Sequence, residues 1–277
     1  MEMSDLLRDS PALIQHIILL LHERNQGECR FPRGIFRSPT ASAVLFLLSQ
    51  HCFDKGFLPD ACVVFNKRSE KVKQPGDLCF PGGSIAPRMD RHLARLLTLP
   101  PFPLARWPYW PSWCELRPKQ ARRLALLLAT SLRESLEEMR LNPLGVKFLG
   151  PLPSQTLVMF QREIYPLVGW ITRQKHFLPN WEVEKIVYIP LRKLLHPHYY
   201  GCYRLIFVGQ NKNESNGVTQ NFPCYVHQNE NENEVLWGAT YRIVMAFLEV
   251  VFGFKPPPIQ SLPIVKGTLD ENYYGSS

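Results

Sequence analysis

The sequence predicts an α+β fold on three observations: a proline- and glycine-free run of helix formers over residues 119–141, several short β-prone runs bounded by turn signals, and no regular alternation between the two. With 277 residues and 45% hydrophobic content, the chain can bury a substantial core, which excludes a disordered tail protein. Its length fits one enlarged domain or a domain with attached helices.

Each element has its own signal. Asp9-Ser10-Pro11 reads as a helix cap with proline in the first turn, and apolar residues at 13, 14, 17, 18, 20 and 21 continue it as an amphipathic helix. Residues 41–48 are apolar and fit a short helix or a strand, because periodicity does not separate the two. Residues 61–65 are β-prone and end at Lys67-Arg68, which predicts a strand. Leu78-Cys79-Phe80 lies between Pro75-Gly76 and Pro81-Gly82-Gly83, predicting a second, short strand between tight turns. Residues 84–117 hold prolines at 87, 100, 101, 103, 108 and 111 and tryptophans at 107, 110 and 113. Proline this dense forbids a continuous helix or central strand, while the aromatics oppose disorder, so an ordered surface excursion or partner-facing loop is expected. A long helix over 119–141 follows, then strands at 146–149, 164–171, 186–189 and 203–208. Residues 211–233 read as a loop around one short strand near 224–226, and 234–252 as a final helix.

Composition narrows the classes. The net charge of +8 favours anionic partners without separating a polyphosphate ligand from nucleic acid or a membrane surface, and no nucleic-acid motif is present. Cysteines at 29, 52, 62, 79, 114, 202 and 224 form no C-x-x-C pair, which argues against a zinc ribbon or disulfide scaffold and suits a reducing compartment. The apolar stretch 12–21 is too short to span a bilayer, so no transmembrane segment is expected, and no secretory signal precedes it. A cytoplasmic protein is the expectation, since Tyr274-Gly275-Ser276-Ser277 do not match the S-K-L peroxisomal address.

The chemistry centres on Leu132-Arg133-Glu134-Ser135-Leu136-Glu137-Glu138-Met139. On a helix, Glu134, Glu137 and Glu138 stand at i, i+3 and i+4, so three carboxylates share one face. Mg2+ or Mn2+, which prefer hard oxygen ligands, would neutralise them and draw phosphate oxygens to the same place. The same pattern alone also describes a solvated helix face. Arg133 stands four residues before Glu137, placed to pair with or orient it.

Upstream lies Phe80-Pro81-Gly82-Gly83, preceded by the run 67–79. Together these segments resemble the Nudix hydrolases, whose box is G-x5-E-x7-R-E-U-x-E-E-x-G-U with U a bulky apolar residue. The chain carries Gly83, then Arg133-Glu134 and Glu137-Glu138, and residues 68–83 resemble the extra signature that coenzyme A pyrophosphatases place before the box. Further likenesses are Ile164-Tyr165-Pro166-Leu167-Val168-Gly169, Glu182-Val183 through Pro190-Leu191, and Leu236-Trp237-Gly238-Ala239-Thr240. The resemblance covers roughly residues 40–255, with 1–39 as an N-terminal helical extension, 84–117 as an insertion and 256–277 as a C-terminal tail.

The resemblance implies a Nudix fold, a mixed β-sheet sandwiched between helices, and hydrolysis of coenzyme A or acyl-CoA to (acyl-)phosphopantetheine and adenosine 3',5'-bisphosphate with Mg2+ or Mn2+. It further implies Glu134, Glu137 and Glu138 as metal ligands, Arg133 orienting a glutamate, and Gly82 and Gly83 allowing close backbone approach. Arg68 and Lys73 would meet phosphates, and Glu182 or Glu184 would add a metal ligand or the general base. No covalent nucleophile is expected. Three departures stand out: about fifty residues separate Gly83 from Arg133, the first box glutamate is replaced by Met89 with Asp90 as nearest carboxylate, and the closing glycine is Arg140, with Asn142 as candidate for its role. Two other readings follow: hydrolysis of another nucleoside diphosphate derivative, or a catalytically silent binding module. In the latter the tryptophan-rich insertion meets a protein partner or a second copy.

Overall fold

A computed structural model describes residues 3–28, 31–51, 59–157, 162–207, 218–228, 232–269 and 273. Cys29, Cys52, residues 274–277 and much of the loop expected over 211–233 lie outside them.

The larger sheet is built from β1 (Ala41–His51), β2 (Asp60–Arg68), β3 (Leu78–Cys79), β4 (Gly82–Ser84), β5 (Val146–Pro151), β6 (Gln155–Leu157), β7 (Arg162–Ile171) and β8 (Val183–Pro190). Its main path is β3-β2-β1-β7-β5, with β8 on β2, β4 on β1 and β6 on β7. β1 runs parallel to β7, and it forks between two antiparallel partners. Leu47–His51 pair with β2, whereas Ser42–Val44 pair with β4. β2 continues past the fork to hold β3 through Asn66 and Lys67. Phe80 and Pro81 cross the gap, where the Leu45 N–H donates to the Pro81 carbonyl at 2.9 Å.

Residues 41–48 are therefore strand, and the ambiguity of their pattern has a physical cause. β1 is covered on both faces, so it reads as a continuous apolar run instead of alternating. Phe46 and Leu48 enter one core, with Val63 and Phe65 of β2, while Leu45 and Leu47 enter a second.

The first core is closed by α2 (Ser10–Glu28), whose Leu13, Ile17 and Leu21 are buried, by the short α6 (Leu191–Leu194) with Leu191 and Leu194, and by α7 (Gly238–Phe252) with Val244 and Phe247. Asp9 caps α2 by accepting the Ala12 N–H at 3.1 Å, and α1 (Met3–Arg8) precedes it. The second core is closed by α5 (Pro118–Met139), whose Leu124, Leu127 and Leu128 are buried. The sheet is thus sandwiched between helices, in an α+β arrangement.

Residues 84–117 differ from the expected surface excursion. They fold into α3 (Pro87–Leu96) and α4 (Trp110–Leu116), and Leu104, Trp107 and Trp113 are buried in the second core. The Trp107 indole N–H donates to the Leu149 carbonyl at 3.2 Å. Two of the insertion's prolines, Pro87 and Pro111, and Pro118 just beyond it, occupy the first turns of α3, α4 and α5, where a missing N–H costs nothing. Dense proline here starts helices instead of forbidding them.

A smaller sheet, ordered β11-β10-β9-β12, consists of β9 (Tyr200–Phe207), β10 (Val218–Gln228), β11 (Asn233–Leu236) and β12 (Ile264–Leu269). Three expectations change with it. The strand near 224–226 is eleven residues long. Residues 234–252 split into β11 and α7, because Trp237 is extended and Gly238 has φ +65°, a left-handed value that ends any continuous helix. Residues 256–277 are not a bare tail, since β12 joins β9 in parallel.

Candidate active site

The last turns of α5 bring Arg133, Glu134, Glu137 and Glu138 to the fork in β1. Glu138 is buried, with its Oε1 accepting the Gly82 N–H at 3.1 Å and Oε2 accepting the Asn66 amide at 2.7 Å. Burial pushes its carboxyl up to about 7, against those two hydrogen bonds, and the charges of Glu134 and Glu182 push the same way. Glu134 is also raised, first by burial, with Arg133 opposing.

Both glycines are dictated by space. A Cβ on Gly82 would run into the Ala43 carbonyl and the Val44 backbone, and one on Gly83 would overlap the Glu134 carboxylate. Gly83 therefore lets a carboxylate lie directly on the β4 backbone.

Arg133 is the hub. Its Nε donates to Asp90 Oδ1 at 2.7 Å, Nη2 reaches the Ser84 carbonyl at 3.1 Å, and Nη1 bridges Glu134 at 2.9 Å and Glu137 at 3.2 Å. Asp90 is fully buried and also accepts from the Ala86 N–H at 2.7 Å and the Thr130 hydroxyl at 2.8 Å. The carboxylate one residue beyond the expected box position thus ties α3, the loop after β4 and α5 together.

The closing turn adopts a second departure from the family pattern. Arg140 itself takes the left-handed conformation, φ 56° and ψ 37°, at the end of α5, and its N–H returns to Leu136. Asn142 does not take that role; its side chain caps the next turn by accepting from the Leu144 N–H at 3.0 Å.

Beyond the carboxylates, Arg68, Gly82, Gly83, Arg162, Trp237 and Arg242 line a cavity of about 450 Å³. The two glycines belong to both the cavity wall and the carboxylate contacts. Arg68 is held by donating Nε to the Lys73 carbonyl at 2.7 Å. Lys73 itself is exposed and does not line the cavity. Asp77 anchors another wall, accepting from the Trp237 indole at 3.0 Å and from the Tyr273 hydroxyl. Burial raises its carboxyl, with those two bonds and Arg68 opposing.

The structure separates the two downstream glutamates. Glu182 is near enough to raise Glu138, and its backbone carbonyl accepts the Ser69 N–H at 2.9 Å. Glu184 instead pairs with Lys67 at 3.5 Å, in a network with Lys185, Glu232 and the buried Glu234. Sequence reasoning missed Asn66, whose only signal is one amide in a buried strand, and Arg162, Arg242 and Tyr273, which carry no local signal. Among the described residues no three His, Cys, Asp or Glu side chains are grouped as a metal cage, and Arg133 pairs with both Glu134 and Glu137.

A mixed sheet between helices, with a helix whose terminal glutamates close on a Gly-Gly strand, is the arrangement that the resemblance to Nudix hydrolases leads one to expect. Among proteins of that class the chain is similar to a coenzyme A diphosphatase. The mouse peroxisomal coenzyme A diphosphatase NUDT7 is 28% identical over 142 residues, covering 50% of this chain and 44% of that protein, less than half its length. No protein-family model matches the chain. Similar solved structures include a Nudix hydrolase from Alicyclobacillus acidocaldarius, with TM-score 0.37 and 16% identity over 57% of this chain and 82% of that one. Another is the Mycobacterium smegmatis Nudix hydrolase RenU, with TM-score 0.34 and 13% identity over 56% of this chain and 72% of that one. No helix among the described residues is long and apolar enough to cross a membrane.

Proposed function

We propose that the protein is a divalent-metal-dependent diphosphatase that cuts the diphosphate bridge of coenzyme A or acyl-CoA, giving (acyl-)phosphopantetheine and adenosine 3',5'-bisphosphate. The observation that carries the reading is the packing of the Glu134 and Glu138 carboxylates onto the Gly82-Gly83 backbone, at the wall of an arginine-bearing cavity. The choice of coenzyme A is supported by the likeness to the mouse diphosphatase.

The donor set fits Mg2+ or Mn2+. A buried carboxylate, Glu138, and a half-buried one, Glu134, both with raised affinity for protons, and Glu182 near Glu138, form a hard-oxygen site whose mutual repulsion a cation relieves. Glu134 and Glu138 would hold the ion, with Glu137 joining on release from Arg133. When bound, the ion supplies positive charge to the diphosphate and to the oxygen that departs.

The remaining work belongs to the chain. Arg68, Arg162 and Arg242 bring guanidiniums to the cavity for phosphate oxygens. Arg133, locked by Asp90, sets the rotamer of Glu134 and holds Glu137 beside it until that carboxylate turns to the ion. Glu182, which is tied neither to Arg133 nor to the Gly82 and Asn66 donors that hold Glu138, is assigned as acceptor of the proton of an attacking water.

The test is turnover of coenzyme A with Mg2+ or Mn2+, resolving adenosine bisphosphate chromatographically, for wild type, Glu137→Gln and Glu138→Gln. Metal-dependent product lost in both variants supports the reading. A folded wild type inert toward coenzyme A, acyl-CoA and a panel of nucleoside diphosphate derivatives overturns it in favour of a binding module, while turnover only within the panel reassigns the substrate.

A further inference from the structure

The insertion builds a second cavity, of about 620 Å³, between α3, α4 and α5. Its volume falls in the range of about 300–1,000 Å³ typical of small-molecule sites. The cavity is separate from the carboxylate cluster. Leu126, the lining residue nearest Glu134 along α5, precedes it by eight residues, about 12 Å of helix at ~1.5 Å per residue.

Two properties of the lining select a ligand. The floor is apolar, with Ala94, Ala121, Ala125 and Leu126 beside Phe36 and Trp110. Around it stand three guanidiniums, Arg91, Arg95 and Arg122, with no carboxylate in the lining. Arg91 lies over the Phe36 ring, 5.5 Å from its centroid, and Arg122 donates to the Pro118 carbonyl at 3.3 Å. Among the described residues none of the three is ion-paired, in contrast to Arg133 and Arg192, which both meet carboxylates.

An apolar trough edged by three unpaired cations suits a ligand with an aliphatic body and an anionic end. A nucleotide would need hydrogen-bonding groups for its base, and apart from Thr98, whose hydroxyl donates to the Arg95 carbonyl at 2.7 Å, the lining offers hydrocarbon, rings, guanidiniums and one thiol. We infer that the α3–α4–α5 cavity binds a free fatty-acid anion, its chain over the alanine floor and its carboxylate among Arg91, Arg95 and Arg122. The site is independent of the diphosphatase reading.

The experiment is calorimetric titration of the full chain with decanoate and dodecanoate below their micelle concentrations, beside dodecanol, inorganic phosphate, AMP and anionic phospholipid vesicles. A parallel readout is the alkylation rate of Cys114, an exposed thiol in the lining, followed site by site by mass spectrometry. The expected result is one saturable site that protects Cys114 and tightens with chain length, by up to about fourfold per methylene. Arg95→Gln/Arg122→Gln, both exposed positions that leave the fold intact, weakens binding by about tenfold, and Ala125→Phe fills the trough and abolishes it. Dodecanol binding as tightly as dodecanoate, affinity unchanged in the double arginine variant, capture of AMP or phosphate instead, or binding seen only with vesicles would each overturn the inference.

Discussion

Glu138→Gln is expected to make the metal-free protein more stable at pH 8 while removing activity. Glu138 has its carboxyl raised from 4.5 to about 7 by burial. At about 1.36 kcal/mol per unit, keeping it ionised in the fold costs about 3 kcal/mol above neutrality. The sign follows from proton binding: the folded state holds this proton more tightly than the unfolded chain, so the group is harmless below pH ~4.5 and destabilises progressively as pH rises through about 7. Glutamine is neutral throughout and has the same shape. Its Oε1 can accept the Gly82 N–H, and its Nε2 can donate to Asn66 once that amide turns, because Asn66 Oδ1 is buried with no partner. Allowing ~1 kcal/mol for imperfect hydrogen bonds leaves about 2 kcal/mol, or roughly 4–8 °C in melting temperature for a chain of this size. The assay is a thermal melt of both proteins in EDTA from pH 4.5 to 8. A variant that melts lower than wild type at pH 8, or a difference that does not grow with pH, would refute the assignment of Glu138 as a buried carboxylate held ionised at a cost.

Three further outcomes are expected. Gly83→Ala displaces only the end of the Glu134 side chain and should lower kcat by about a hundredfold with an unchanged melt, whereas Gly82→Ala strikes the β1 backbone and should destabilise by about 2–3 kcal/mol; activity and calorimetry on the pair distinguish site from scaffold. Asp90→Ala takes away the buried acceptor shared by Arg133, the Ala86 N–H and the Thr130 hydroxyl, and leaves Arg133 with Glu134, Glu137 and the Ser84 carbonyl; it should cost about 1–3 kcal/mol in urea unfolding, and Asp90→Asn should recover part of it. Tyr273→Phe removes the hydroxyl that holds Asp77 and should raise KM for the diphosphate substrate with kcat retained, at a stability cost of about 1 kcal/mol; a KM equal to wild type would show that Asp77 is held by Trp237 alone.

How far the sequence reaches depends on how local the cause is. The glutamates of α5 were legible because a helix turns spacing directly into a shared face, and no proline or glycine interrupts it. β1 was ambiguous because burial on both faces erases the alternation that marks a strand. The insertion was misjudged because its prolines were weighed by number and not by position within helical turns. Asp90 was noted but given no role, since counting forward from Gly83 assumes a continuous loop, while α3 starts at Pro87 and rotates the next residue inward. Arg68, Gly82 and Gly83 of the cavity wall are legible through the resemblance, but the closure of that wall is not: Asp77 is joined to Trp237 and Tyr273 across 160 and 196 residues, distances over which no periodicity operates.

The salt bridge between Asp90 and Arg133 gives the insertion a mechanical part to play. Asp90 belongs to α3, and its partner's other nitrogen grips Glu134 and Glu137. α3 therefore has a short arm that ends at the carboxylate cluster and a long arm, from Arg91 to Leu96, that reaches the outer surface. A ligand, a partner or a mutation that shifted the long arm would reach two carboxylates through one guanidinium. The segment that parts Gly83 from Arg133 in sequence is thereby what joins them in space.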